Sequence, residues 1–157
     1  MVTRKASFTA LLTACLASVF LSACGPKLIR GESPFVSIQG IELGEENMTL
    51  RLRIRNINDV AIETTNIQFD LDLEGEALVA YNQPQRANVI ASGAETLSFE
   101  LAPSEEGKAL LLSLQNREVP NLEYRLSGEL GTVDDPTLTF SGNGRIYPVP
   151  GRPGQFR

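Results

Sequence analysis

Histidine and tryptophan are absent from this 157-residue chain, and cysteine occurs only twice. Without histidine, the Ser-His-Asp and Cys-His catalytic arrangements and every imidazole metal site are excluded. A metal site would need oxygen ligands alone, as calcium sites have. We therefore expect no catalytic residue, no metal and no cofactor, and we interpret the chain as a protein without enzymatic activity. A pair of surface carboxylates acting as a glycosidase is the alternative, and it would require an acid-lined cleft.

Both cysteines lie within the first 24 residues, in a segment with the pattern of a secretory signal. It opens with Arg4-Lys5, continues through an apolar stretch at 8–20 and ends with Leu-Ser-Ala-Cys at 21–24. A basic start, a short apolar middle and a small-residue exit predict a signal peptide over residues 1–23. A membrane span is disfavoured because the apolar stretch falls short of the roughly 20 residues that such a helix needs. A plain secretory signal cut at Ala23 is the other alternative.

The end of this segment resembles the bacterial lipobox, in which the signal is cut before a cysteine whose sulfur receives a diacylglycerol. The resemblance implies that Cys24 is the lipidation site and that acyl chains anchor the mature protein in a membrane. Gly25 follows where an aspartate would favour retention in the inner membrane, so we expect the outer membrane, facing the periplasm. Because Cys15 leaves with the signal, we expect the mature chain to form no disulfide.

The charge of the chain limits its partners. It carries 14 basic and 19 acidic residues, and removal of Arg4 and Lys5 with the signal makes the mature chain more negative still. An acidic protein is a poor ligand for nucleic acid and for anionic lipid. We therefore expect no nucleic acid partner, and we expect membrane attachment to come from the acyl chains.

The mature chain has the alternation of half-buried β-strands. Residues 24–33 contain Gly and Pro without periodicity and are interpreted as a tether. In Met48–Arg55, apolar residues alternate with Thr49 and three arginines, so the two sets point to opposite faces. We predict strands at Phe35–Leu43, Met48–Arg55, Ile67–Glu74, Ala77–Tyr81, Thr96–Leu101, Leu122–Leu130 and Thr137–Ile146. About seven strands separated by turn signals predict an all-β, antiparallel sandwich of the immunoglobulin or fibronectin type III kind over residues 34–147.

Two segments depart from this alternation. Residues 104–116 contain four leucines without a period of two, and Ser104 precedes two glutamates as a helix cap would. We predict one short helix there, over an open end of the sheets. Residues 148–157 are rich in Pro and Gly, and we predict that this tail is disordered.

Arg51, Arg53 and Arg55 form the most prominent exposed feature. Guanidinium groups suit anionic sugars and phosphates, so this arginine row is a candidate ligand or partner surface. Asp70, Asp72 and Glu74 alternate with the same period on another predicted strand. Cross-strand charge pairing between the two rows would explain both without any ligand, and we favour that interpretation.

Other motifs have ordinary structural explanations. Asp134-Asp135, with Glu129, is the best oxygen-ligand cluster, but Asp-Asp-Pro between strands is typical turn chemistry. Gly142-Asn-Gly144 lacks the following helix that a phosphate-binding loop needs. A bulge or tight turn explains these glycines better.

The motifs taken in order resemble the water stress and hypersensitive response (WHy) domain of the late embryogenesis abundant type 2 (LEA-2) family. Its Ile-x-Leu corresponds to Ile41–Leu43, and its Asn-Pro-Asn after a Leu-rich basic strand corresponds to Asn56–Asn58. Ile67–Leu71 and the Ser-Gly pairs ending at Gly128 and Gly142 follow in order. The chain departs from the family at Ile57, where proline is usual, which leaves that turn less fixed.

The resemblance implies a sandwich without catalytic residues or cofactor, associated with tolerance of desiccation and other stress. We expect a membrane-anchored envelope lipoprotein that acts as a protective or structural module. The alternative is an adaptor that binds another envelope protein or an anionic ligand through a sheet edge or the arginine row.

Overall fold

A computed structural model describes residues 28–134 and 136–157 of the chain. Within these ranges, nine strands and one helix follow one another along the sequence. They are β1 Phe35–Leu43, β2 Met48–Arg55, β3 Ile62–Leu73, β4 Glu76–Gln83, β5 Asn88–Val89, β6 Ala94–Leu101, α1 Glu105–Gln115, β7 Leu122–Thr132, β8 Leu138–Ile146 and β9 Gln155–Phe156. The described helix is not long and apolar enough to cross a membrane.

The strands form two antiparallel sheets packed as a sandwich. One sheet has the order β6-β2-β1-β9, and the other has the order β4-β3-β7-β8, with β5 paired to β3. All the strand pairs are antiparallel. The predicted fold class, an antiparallel β-sandwich with one short helix, is therefore confirmed. Each of the seven predicted strands overlaps an observed one, and the bounds of β1 and β2 are as predicted.

The core consists mainly of the apolar residues that alternate with polar ones along the strands, as the sequence predicts. The apolar residues of β2, from Met48 to Ile54, are each at most 1% exposed. They face the second sheet. Phe69 of that sheet packs edge-on against Phe99 of β6 and stacks on Tyr81 of β4, and the ring centroids are 5.1 Å apart in both pairs. Burying one side chain of this size contributes about 1.5–3 kcal/mol relative to leaving it exposed. The inner faces of both sheets therefore supply most of the stability.

Helix α1 begins where the sequence predicts it. Ser104 Oγ accepts a hydrogen bond from the Gly107 N–H and donates one to the carbonyl oxygen of Ala77. These bonds satisfy an otherwise free amide of the first turn and tie the helix start to β4. Leu111 and Leu114 are fully buried beneath the helix. The helix therefore covers the open end of the sandwich next to β4.

The prediction of a disordered tail is wrong. β9 pairs with β1, and Tyr147 and Arg157 exchange backbone hydrogen bonds of 2.8 and 3.0 Å. Phe156 is only 1% exposed and belongs to the core. The Pro and Gly residues lie in the turn of a hairpin. Gly151 and Gly154 both adopt positive φ there, which glycine tolerates without strain.

The glycines of β8 do not form a bulge or a turn, contrary to expectation. β8 pairs with β7 in continuous register from Leu138 to Ile146. A Cβ at Gly142 would lie 2.8 Å from the carbonyl oxygen of Val36 in the other sheet, and one at Gly144 would lie 2.9 Å from the Tyr124 ring. These glycines therefore allow a close approach between the two sheets and leave room for an aromatic ring.

Candidate functional surface

The predicted lipidation site cannot be described from the structure. Cys24 and the whole predicted signal lie outside the described residues, which begin at Leu28. Part of the predicted tether does lie within them and contacts the domain. Ile29 N–H donates to Asp59 Oδ2 at 2.8 Å, and Asp59 N–H donates to the Ile29 carbonyl at 2.9 Å.

The arginine row lies on the outer face of the β6-β2-β1-β9 sheet. In register, Arg51 lies between Gly40 and Ser98, Arg53 between Ser37 and Thr96, and Arg55 between Phe35 and Ala94. The charge pairing that the sequence favoured is wrong. Asp70 and Asp72 lie on β3 of the other sheet and Glu74 follows it, so the two rows are not neighbours. Alternation had specified the face of each residue but not the strand beside it.

Arg51 has a different ionic partner. Its Nη1 lies 3.6 Å from Glu42 Oε2, and both side chains are well exposed. Glu42 Oε1 also accepts a hydrogen bond of 3.2 Å from Gln155 Nε2. An exposed pair of this kind contributes about 0–1 kcal/mol. Arg51 is therefore engaged within the sheet and is the member of the row least available to a ligand.

Arg53 and Arg55 are the available members of the row. Among the described residues, neither of them forms an ion pair. They line an open depression of about 660 Å³ together with Phe35, Ser37, Ser92, Gly93 and Ala94. Phe35 is 64% exposed beside Arg55. An exposed aromatic ring and two cations that pair with no acid in the described ranges form a surface suited to an anionic or amphipathic partner.

The acidic cluster gives no metal site within the described ranges. There, no group of three His, Cys, Asp or Glu side chains could hold a metal ion. Glu129 and Asp134 are therefore not part of such a group, and Asp135 lies outside the described residues. Glu129 faces Gln68 and Thr139 in the sheet register.

The two asparagines after β2 form a buried polar network whose role the sequence analysis did not assign. Asn56 and Asn58 are each 1% exposed. Asn56 Nδ2 donates to the carbonyl oxygens of Val60, Val89 and Ile90, at 2.8, 3.1 and 3.1 Å. Its Oδ1 accepts from both the backbone N–H and the Nδ2 of Asn58, at 2.8 and 2.9 Å.

Asn58 extends this network to the N-terminal segment. Its Nδ2 donates to the Glu32 carbonyl at 2.9 Å, and its Oδ1 accepts from the Glu32 N–H at 2.8 Å. The Asn58 carbonyl accepts from the Ser92 N–H at 2.9 Å. The spacing Asn-x-Asn directly after a strand could have pointed to these two residues. It does not identify their partners, which are distant in the sequence.

Comparison with known proteins agrees with the motif order. The family model of late embryogenesis abundant proteins, type 2, matches residues 51–144, which is more than half of the chain. No protein of curated function matches the chain significantly. The match extends from the arginine row through both buried asparagines to Gly144.

Several solved structures are similar at low identity. A late embryogenesis abundant protein solved in solution has 17% identity and a TM-score of 0.46, covering 90% of this chain and 83% of that one. An Arabidopsis thaliana protein has 14% identity and a TM-score of 0.46, covering 85% and 94%. A protein from Archaeoglobus fulgidus has 14% identity and a TM-score of 0.45, covering 73% and 95%. On the strength of the family match over residues 51–144, this chain belongs to the late embryogenesis abundant family of type 2.

Proposed function

We propose that this chain is a lipid-anchored, non-catalytic protective module of the bacterial envelope, with a domain of the WHy kind. The match of residues 51–144 to the late embryogenesis abundant family carries the protective role. The Leu-Ser-Ala-Cys sequence at 21–24 supports the anchor, and Gly25 supports the outer membrane as its place.

The anchor is tested by the intact mass of protein extracted from the membrane of its own host. The expected mass is that of residues 24–157 plus the acyl groups, and Cys24→Ser should abolish both the acylation and the membrane fraction. Cys15→Ser is the matched control, because Cys15 lies within the predicted signal and is absent from the mature chain. An unacylated mass for the natural chain would contradict the anchor.

The protective role has a physical basis in the surface of the domain. Acidic residues exceed basic ones, 19 to 14 over the whole chain. Strongly hydrated carboxylates and net negative charge keep protein molecules apart, which opposes aggregation when water is withdrawn. The buried core and the satisfied asparagine network keep the domain itself folded.

A drying assay tests this role. A labile enzyme dried and rehydrated with the Cys24→Ser chain should keep more activity than with the same mass of albumin. Replacing Glu45, Glu46, Glu105 and Glu106 with glutamine should reduce the benefit, since all four are exposed. If the natural chain protects no better than albumin, the protective function is wrong.

An adaptor function is the second candidate, and Arg53 and Arg55 favour it. Two exposed cations that form no ion pair with any described residue, next to Phe35, are the part of the described surface best suited to an anion. An open site of this kind would bind a small anion weakly, with a Kd on the order of 1 mM.

Titration with inorganic pyrophosphate, followed by backbone NMR shifts, tests that candidate. Shift changes should centre on Arg53 and Arg55 and disappear in the Arg53→Gln, Arg55→Gln double variant. Arg125→Gln is the matched control, because Arg125 is an exposed arginine on a strand of the other sheet. Shift changes that survive the double variant would exclude this surface as the anion site.

A further inference from the structure

The two ends of the sandwich differ in their surfaces. The proximal end contains the starts of β1, β3 and β6 and the ends of β2 and β7. Segment 28–34 joins the domain there, through the bonds of Ile29 to Asp59 and of Glu32 to Asn58. The helix end contains the opposite strand ends, helix α1 and the tail hairpin at 147–157.

Exposed apolar side chains concentrate at the proximal end. Of the seven exposed large hydrophobic residues in the described ranges, five lie there, with exposures of 46–65%. They are Leu28, Ile29, Phe35, Ile90 and Val133. Only Leu112 and Tyr147, at 39% and 48%, lie at the helix end. Single exposed hydrophobics are ordinary, but a group at one end of a domain marks an interaction surface.

Charge does not distinguish the two ends. The helix end carries exposed glutamates such as Glu45 and Glu105, but it also carries cations on the helix, after it and in the tail hairpin: Lys108, Arg117, Arg152 and Arg157. The proximal end carries both signs as well, with exposed acids at Glu32, Asp59, Glu63 and Glu95 in addition to Arg53 and Arg55. The concentration of exposed apolar side chains is therefore the feature that sets the proximal end apart.

The chain length between anchor and domain limits the distance between them. Leu28 follows Cys24 by four residues. Four residues span at most about 14 Å, even when fully extended. An acylated Cys24 at the membrane surface would hold the proximal end within that distance of the lipid.

We propose that the proximal end rests on the membrane, with Phe35, Ile90 and Val133 entering the lipid interface and Arg53 and Arg55 beside the headgroups. This inference rests on the proposed lipid anchor at Cys24. Because the anchor holds the domain at a high effective concentration, weak apolar contacts suffice to orient it. The helix end and the tail hairpin then face away from the membrane.

Site-specific labelling of the acylated full chain tests the orientation. With Cys24 acylated, the mature chain has no other cysteine, so a single introduced thiol can be labelled cleanly. Ile90→Cys reports on the proximal end, and Leu112→Cys is the matched control, an exposed apolar residue at the helix end. Each variant carries a fluorophore and is reconstituted into phosphatidylethanolamine–phosphatidylglycerol vesicles containing a lipid with a nitroxide headgroup.

Quenching should be about twofold or more stronger at Ile90 than at Leu112, since interfacial insertion reaches only about 5–10 Å. Val133→Cys provides a second proximal site, because Ile90 packs closely against Gly93 and its replacement alone could disturb that turn. Equal quenching at both ends of a protein with an acylated mass would overturn the orientation and leave the anchor intact. An unacylated mass would overturn both, so the two failures are distinguishable.

Discussion

At the scale of single residues, Asn56 and Asn58 determine how the proximal end is joined. Their side chains connect the end of β2 to β5, to the turn before β6 and to Glu32. The family motif identified the positions from sequence, because Asn-x-Asn follows a strand with clear alternation. It could not identify the partners, which lie some 30 residues away along the chain.

Replacing Asn56 with alanine should lower the free energy of unfolding by about 2–4 kcal/mol, because it removes the bonds donated by Asn56 Nδ2 and leaves the buried Asn58 side chain without its Oδ1 acceptor. Urea unfolding followed by circular dichroism measures the change. Asn82→Ala is the control, since Asn82 is exposed and makes one side-chain hydrogen bond of 3.1 Å, to Asn66. Similar losses in both variants would contradict a special role for the buried network.

At the scale of elements, the helix and the tail hairpin show different degrees of predictability. The helix cap could be read from the sequence, because Ser104 acts on its own first turn through local contacts. The hairpin at 147–157 could not, because its order depends on Phe156 reaching a core built by distant strands. Composition rich in Pro and Gly describes turns and disordered segments equally well.

Gly107→Ala should destabilise the domain by about 1–3 kcal/mol, although alanine favours helices, because overpacking outweighs propensity there. A Cβ at Gly107 would lie 2.8 Å from the Cα of Leu78, which belongs to the backbone of β4 and cannot rotate away. Thermal unfolding measures the effect. Ser113→Ala in the same helix should change stability by less than about 0.5 kcal/mol. A Gly107→Ala variant more stable than the natural chain would refute this packing.

Phe156→Ala should lower the free energy of unfolding by about 3–5 kcal/mol, since it empties a fully buried aromatic site. Phe35→Ala is the matched control. Its ring is 64% exposed, so we expect only a small loss. Guanidinium titration of both variants gives the comparison. A tail that contributes nothing to the fold would make the two variants equally stable.

At the scale of the whole molecule, the sequence predicted the buried face and the bounds of each strand better than it predicted which strands lie side by side. The alternation in β2 and β3 predicted which residues are buried, and the apolar residues of both strands are buried as expected. It did not predict that the two strands lie in different sheets, because strand order depends on packing between segments distant in sequence. The arginine row was therefore recognised, while its partners were assigned to the wrong strand.

A double-mutant cycle distinguishes the two pairings of the arginine row. Coupling between Arg51 and Glu42 should be about 0.2–1 kcal/mol, as for other exposed ion pairs. Coupling between Arg51 and Asp72, on the other sheet, should be zero within error. The cycle uses alanine variants in urea. A measurable coupling to Asp72 would contradict the sheet order.

The pairing of β1 with β9 also determines when folding can finish. Ile41 lies opposite Phe156, and the Leu43 N–H donates to the Gly154 carbonyl at 2.7 Å. These contacts join one of the earliest strands to be synthesised to one of the latest, and such long-range pairings form slowly. Until residue 156 has emerged, β1 lacks its outer partner and the core lacks one aromatic ring. The outer edge of this sheet and one corner of the core are therefore completed only when the last strand of the domain has been made.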